Sequence, residues 1–464
     1  MKIAVTSLGC NKNLVDTEVM LAHLYQAGCE VVDDPEKADC LFINTCSFLQ
    51  EAVEESIDRI VDLAALKSGK KDRKLVVAGC LVSRYGNQIL KEIPEVDALV
   101  PPNDLESVVG AVKGRTANRK TSNVQGPTSN AERGTSNLER QTSNVKVQIP
   151  HPQSSILNPQ SHFPPRILSY PPHRAYLKIG EGCSNRCSYC LIPSLRGEFI
   201  SRTPESLLAE MDHLVRSGVK EVTLVAQDSG RYGMDHLGGS LASLVEHLLT
   251  VPGDYWLRVL YIHPSRVTDE LLRVLASDPR VCRYLDVPFQ HVSPSILREM
   301  GRGDIPHPEE IVRKILRAFP DVHLRTTFMT GFPGETEHDF EMLRDFVAQG
   351  YIDHMGVFAY SREDGTPAAD MTCQVDPQTA RDRAEALLME QVEISSRRLA
   401  RFTGKEIKVL IEGSDEDGPF GRHQGQAPEV DGVVRLDREG EAGTFLQVRI
   451  TGSDVYDLTG KVLE

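Results

Sequence analysis

The sequence predicts an α/β protein in three folded parts: an N-terminal doubly wound parallel α/β domain over residues 1–113, a central partial (β/α)6 barrel over 169–400, and a small C-terminal β-barrel over 401–464. Three observations carry this. Apolar runs of strand length alternate with helical patterns in the first and central parts, which is the rhythm of parallel sheets. The tail holds short strand runs between glycine turns, as small barrels do. The stretch 114–168 breaks both rhythms. A chain of 464 residues also exceeds one ordinary domain of about 100–200 residues.

In the N-terminal part, strands are predicted at 2–7, 40–44 and 74–78, with a helix over 47–66. From 114 to 168 the triplet Thr-Ser-Asn recurs at 121, 128, 135 and 142 without apolar positions for a coiled coil, so the segment reads as a low-complexity linker. Eight Lys/Arg against two Asp/Glu from 113 to 166 make it basic; a solvated spacer is the simpler reading, an RNA-touching tether the alternative. Six strands follow, at 175–179, 221–227, 256–262, 284–289, 323–330 and 354–360, with helices such as 204–217 and 337–349 between them. Right-handed βα repeats of this kind curl into a full or partial barrel whose reactive face lies at the strand C-termini. A long helix over 378–402 leads to the tail.

Composition narrows the function. A hydrophobic share of 40% with 25% charged residues is that of a globular protein, and no apolar run approaches the ~20 residues needed to span a bilayer. The start, Met1 to Thr6, lacks the apolar core of a secretory signal and reads as a buried strand in a cytoplasmic protein. Ten cysteines in such a protein point to metal or redox chemistry rather than disulfides. A net charge of -14 disfavours non-specific attachment to nucleic acid and suits a basic partner, although a local basic patch can still bind RNA.

Cys183, Cys187 and Cys190 stand in a CxxxCxxC loop after the first barrel strand. Three thiolates within eight residues can hold three corners of a 4Fe-4S cubane, leaving the fourth iron open for chemistry. A zinc site would need a fourth ligand, and the neighbours available are the distant Cys282 and His173. Cys10, Cys46 and Cys80 each follow a predicted strand, in Gly9-Cys10, Thr45-Cys46 and Gly79-Cys80; ligands of open parallel sheets gather at those edges, so the three can converge. Ser47 and Gln50 suggest a capping box that places the Cys46 sulfur near a helix N-terminus, favouring its thiolate. Cys29, Cys40, Cys282 and Cys373 have no such setting and read as core or incidental.

The triplet with Tyr189 before its last cysteine resembles the signature of radical S-adenosylmethionine (SAM) enzymes. Together, the two triplets and the C-terminal barrel resemble the methylthiotransferase family end to end, apart from the Thr-Ser-Asn linker. That resemblance implies a radical SAM core, a TRAM-like tail, two 4Fe-4S clusters and S-adenosyl-L-methionine as cofactors, with Cys10, Cys46 and Cys80 holding the auxiliary cluster. It also implies a 5'-deoxyadenosyl radical that abstracts hydrogen before a methylthio group is inserted, and an electron donor such as flavodoxin or ferredoxin. Met329 to Glu335, with Gly331 and Gly334, corresponds to the cofactor-contact region of the fifth barrel strand; Gln290, His291, Ser293 and Arg325 are further family-like residues expected at the reactive end.

The family divides into enzymes that modify adenosine in tRNA and a branch that modifies an aspartate β-carbon of small-subunit ribosomal protein S-twelve. Ser7-Leu8-Gly9-Cys10-Asn11-Lys12-Asn13-Leu14-Val15-Asp16, Leu177 to Gly182, Gly421-Arg422 and Ala427 to Gly432 resemble the protein-modifying branch. Residues 401–464 carry eight Lys/Arg against thirteen Asp/Glu, poor for gripping phosphates but suited to a basic ribosomal protein, free or in the small subunit. The alternatives are tRNA adenosine methylthiolation and a non-catalytic iron-sulfur factor that binds ribosomes.

Overall fold

The computed structural model describes residues 1–67, 72–114, 163–169, 171–235 and 238–463; the Thr-Ser-Asn repeat lies outside the described residues. The N-terminal domain is a five-stranded parallel sheet in the order Glu30–Val31, Lys2–Ser7, Cys40–Thr45, Lys74–Gly79, Ala98–Val100. Its middle strands are buried on both faces and mostly apolar: Leu41 and Ile43 join one core, Cys40 and Phe42 the other. The strand order reverses between Lys2–Ser7 and Cys40–Thr45, and at such a switch point the strand ends open a crevice.

The central domain has the six expected strands in sequential order, as two three-stranded parallel sheets: Arg174–Lys178, Glu221–Val225 and Trp256–Val259, then Tyr284–Asp286, His323–Thr330 and His354–Ala359. A bridge between Leu257 and Val281 joins the halves. The third and fourth strands end earlier than the apolar runs suggest. Tyr261 adopts φ 61° and breaks the third, and Pro288, which has no N–H, follows the fourth. The crossover helices start on clear caps: Thr203 before Pro204–Arg216, a Thr336/Asp339 capping box before Glu337–Ala348, and Asp376 before Pro377–Ala400.

The tail is a closed five-stranded barrel around Val409, Ile411, Val434, Val448, Ile450 and Leu458. Its loop plugs the amino-terminal mouth of the larger barrel. Arg422 reaches Glu221 (2.6 Å), Arg258 bonds Glu221 and the Gln424 carbonyl, and Asp431 receives Arg325 (2.6 Å) and Tyr284 (2.8 Å). The acidic surplus of the tail is therefore partly internal, with Glu412, Glu429 and Asp431 paired to Arg422, Arg174 and Arg325. A cavity of about 470 Å³ opens at this junction beside His323, Arg398, Arg401 and His423, away from both cysteine triplets.

Burial pushes His323 down to about 4 and His423 well below the ordinary imidazole range. Both stay neutral in the fold while the unfolded chain protonates them near pH 6.5, so stability is fully present above that pH and is lost as pH falls toward 4. Stability should drop by about 2 kcal/mol between pH 7.5 and 5 from such a group, read as a fall in Tm, and His423→Gln should flatten the dependence.

Residues 163–169, mostly assigned to the linker by sequence, are packed between the two α/β domains. Arg166 is buried with Glu18 of the helix Asn11–Gln26 on one side and Glu210 of Pro204–Arg216 on the other, and the Ser169 N–H donates to Glu18. The linker expectation thus runs a few residues too far, because polarity alone does not reveal an arginine whose two carboxylates come from distant segments.

Candidate functional site

Cys10 caps the helix Asn11–Gln26, Cys46 follows Cys40–Thr45 directly, and Cys80 opens the helix Cys80–Tyr85. Glycine allows the loops to meet. At Gly9 (φ +90°) a Cβ would lie 2.8 Å from Cys46 Cβ, and at Gly79 (φ +96°) 2.4 Å from the Thr45 carbonyl oxygen. Asn13 ties the loops by donating to the carbonyls of Leu8 and Thr45, both at 2.9 Å.

The three sulfurs share one electrostatic neighbourhood. Burial raises Cys10, but Lys12, Arg196 and the amides of Asn13 and Lys12 outweigh it and leave its thiol lowered. Burial, with Cys10 and Cys80 beside it, pushes Cys46 up to about 12. Burial also raises Cys80, against the pull of Arg196, whose Nε donates to its Sγ at 3.2 Å.

The expected Ser47/Gln50 capping box does not form. Ser47 Oγ is buried without a partner, the helix begins only at Gln50, and the Gln50 N–H donates 2.9 Å to Glu363 from the loop after the last barrel strand. Cys46 therefore lies ahead of the first turn, and burial rather than a helix N-terminus sets its thiol.

In the barrel, the loop after Arg174–Lys178 carries Cys183, Cys187 and Cys190. Gly182 (φ +81°) admits the Glu198 carbonyl where a Cβ would sit 2.2 Å away, and the Cys183 N–H donates to Gly197 O at 3.0 Å. Burial pushes Cys190 up to about 12, with Cys187 and Cys183 adding to it, and Arg302 bonds Cys187. Tyr189 packs with Ile296, Met300 and Phe332 beside this loop. Among the described residues no group of three or more His, Cys, Asp or Glu side chains is close enough to hold a single metal ion.

The other expected site residues divide. At Gly331 a Cβ would lie 2.1 Å from Ala380 Cβ, so this glycine makes room for Pro377–Ala400 rather than for a ligand; Gly334 (φ +86°) is a turn facing open space. Gln290 (φ +73°) exchanges backbone hydrogen bonds with the fifth strand, and its side chain is half-buried. His291 is fully buried near Glu335 and accepts the Ser293 N–H, and Ser293 Oγ donates to Asp339, which braces the loop against Glu337–Ala348. Arg325 is not at the reactive end. It is the third residue of its strand, about 16 Å along the chain from Thr330 at ~3.3 Å per residue, and is held by Asp431.

Sequence reasoning missed what joins the two triplets. Arg196, buried, donates to Asp16 (2.7 Å), Glu181 (3.1 Å), Asn13 Oδ1 (2.6 Å) and Cys80 Sγ, and Lys178 pairs with the same two carboxylates. Asn13 and Asp16 belong to the first cysteine motif, Lys178 and Glu181 to the segment before the second, so the two motifs are salt-bridged to each other. Nothing local marks Arg196. Nearby, the strained Tyr261 accepts a 3.1 Å hydrogen bond from Asn11 Nδ2, and Lys12 Nζ lies 3.7 Å from its ring centroid.

Comparisons with known proteins agree with this architecture. Residues 2–101 match the uncharacterized protein family UPF0004, 177–347 the radical SAM superfamily, and 403–463 a TRAM domain. A radical S-adenosylmethionine methyltransferase, TsrM, from Kitasatospora setae shares the fold, with a TM-score of 0.55 and 16% identity over 85% of this chain and 89% of that one. The chain belongs to the radical SAM methylthiotransferases, whose cofactors are S-adenosylmethionine and 4Fe-4S clusters. Within them it belongs to the ribosomal protein uS12 methylthiotransferase RimO family. It is 41% identical to the member from Pelotomaculum thermopropionicum, over all of this chain and 99% of that protein, and 40% identical to the one from Geobacter sulfurreducens, over all of this chain and 98% of that protein.

Proposed function

We infer that the protein inserts a methylthio group at the β-carbon of an aspartate of ribosomal protein uS12. The observation that carries this reading is the pairing of two cysteine triplets, each at the carboxyl edge of a parallel sheet, with Arg196 joining Cys80 of the first to Glu181 just before the second. Cys183, Cys187 and Cys190 would hold the radical cluster, with Tyr189 and Gln290 lining the cofactor's surroundings; Cys10, Cys46 and Cys80 would hold the auxiliary cluster. When bound, these groups supply a 5'-deoxyadenosyl radical and the sulfur to be transferred.

The chain's own part is positional. Arg302 holds a cation against Cys187, Arg196 holds one against Cys80, and Asn13 fixes the loops of Cys10 and Cys46. The Arg166 and Arg196 ion pairs hold the two domains face to face. Among the described residues no helix is long and apolar enough to cross a membrane. We place the enzyme in the cytoplasm, with flavodoxin or ferredoxin as electron donor and uS12, free or in the small subunit, as partner.

Mass spectrometry of uS12 from cells with and without this gene tests the reading. The protein should be heavier by one methylthio group, on an aspartate, only where the gene is present. Modified tRNA with unmodified uS12 would overturn it.

A further inference from the structure

The buried guanidinium groups among the described residues all have acceptors: Arg166, Arg196, Arg258, Arg383 and Arg422 meet carboxylates, Arg73 meets backbone carbonyls, and Arg302 meets the Pro288 carbonyl and Cys187. Lys12 differs. It is only 9% exposed, yet among the described residues its ammonium forms no ion pair or hydrogen bond and rests over the face of the Tyr261 ring, 3.7 Å from the centroid. Removing an ammonium from water is costly, and a ring face returns only part of that cost. The negative charges nearest it within the chain are those of Cys10 and Asp286, and neither is hydrogen-bonded to it, so its N–H donors stay unused until an anion arrives from outside the chain.

A second group beside it is also unmatched. Asn11 Oδ1 is buried without a donor, while its Nδ2 holds the Tyr261 hydroxyl at 3.1 Å. Tyr261 is fastened on its other sides, its N–H on Asp286 (3.1 Å) and its carbonyl receiving the Ser229 N–H (2.9 Å), which keeps a bulky residue at φ 61°. Strain retained in a residue so firmly fastened is characteristic of a site that must present its groups in one arrangement. Asn11 and Lys12 follow Cys10 directly, and Tyr261 lies just past the third barrel strand. The unmatched cation and acceptor thus stand where the N-terminal domain faces the reactive end of the barrel.

We propose that Lys12 is the specificity residue for the substrate, its ammonium binding the side-chain carboxylate of the aspartate to be modified while Asn11 Oδ1 accepts a backbone N–H of the same polypeptide. This rests on the function inferred above. The chemistry suits it, because the carboxyl carbon of aspartate is bonded directly to the β-carbon. An anchor on the carboxylate fixes the reacting carbon one bond away, and the anchor stands two residues from Cys10. A substrate without that carboxylate leaves the donors of the ammonium as unused as they are in the free protein, so rejection follows from the same contact.

The test is anaerobic binding of uS12 to the iron-loaded enzyme, using uS12 with its target aspartate intact and uS12 with that residue changed to asparagine. Wild-type enzyme should bind the aspartate form ~10–100-fold more tightly, the scale of one hydrogen-bonded charge. In Lys12→Met that ratio should collapse toward one, with the asparagine form bound as before, and Lys12→Arg should keep most of it. If Lys12→Met fails to load iron, Lys12→Gln is read in the same way. A ratio that survives loss of the ammonium overturns the proposal, as does a variant whose only deficit is weaker binding of S-adenosylmethionine. Wild-type enzyme that binds neither form of uS12 and modifies tRNA instead overturns the functional reading on which the proposal rests.

Discussion

Cys187→Ala should abolish 5'-deoxyadenosine formation by the reconstituted enzyme, a loss on the order of 10³-fold or more, as when one member of a group acting as a unit is removed. Cys187 is the middle thiol of the barrel triplet; its neighbours Cys183 and Cys190 feel its charge, and Arg302 bonds it. Without it two thiolates remain within the loop, too few to hold a three-cornered cluster, and Arg302 keeps only its carbonyl partners such as Pro288. Cys80→Ala separates the two chemistries. It should lower iron by about four atoms per chain while deoxyadenosine production persists and methylthio transfer stops. Iron content and chromatography of the cleaved cofactor report both. Deoxyadenosine persisting in Cys187→Ala would remove the barrel triplet from the chemistry and revive the reading of a non-catalytic binding factor.

Arg196→Met should destabilise the protein by about 3–5 kcal/mol, the cost of stripping one partner from a buried ion-pair network. The substitution keeps roughly the length of the side chain but leaves Asp16 and Glu181 to Lys178 alone, and leaves Asn13 Oδ1 and Cys80 Sγ without their donor. Glu181 adds a pH signature. Lys178 and Arg196 together outweigh burial and hold its carboxyl down to about 2, so its contribution is present above the ordinary carboxylate range and is lost as pH falls toward 2. The variant should show a lower Tm at neutral pH, faster proteolysis between the two α/β domains, and a shallower acid dependence. Arg196→Lys should recover part of the stability, since one ammonium cannot reproduce the fork that reaches four groups. An unchanged Tm in Arg196→Met would show that the domains are held by other contacts.

Much of the fold was legible in the sequence, as was the placing of the six cysteines after strands, because both are written locally. Six barrel strands and three of the five N-terminal strands announce themselves as apolar runs, whereas the short edge strands Glu30–Val31 and Ala98–Val100 do not; period and composition are properties of neighbouring residues. The CxxxCxxC spacing and the Gly9-Cys10 and Gly79-Cys80 pairs are local too, and their glycines are required where the loops close. Local signals also misled. Ser47 and Gln50 look like a capping box, yet the amide of Gln50 is taken by Glu363, more than 300 residues away in sequence. Gly331 looks like a place for a ligand to approach, yet Ala380 occupies the space.

The sequence by itself determined the classes of element, their order, and which cysteines stand at strand ends. The tertiary structure alone decided what joins them: Arg196 between the two cysteine motifs, Arg166 between Glu18 and Glu210, Asp431 on Arg325, and Lys12 over Tyr261. The physical reason is the same in each case. A buried charge is recognised by its partner, and when the partner comes from another domain no spacing or periodicity near the charge records it.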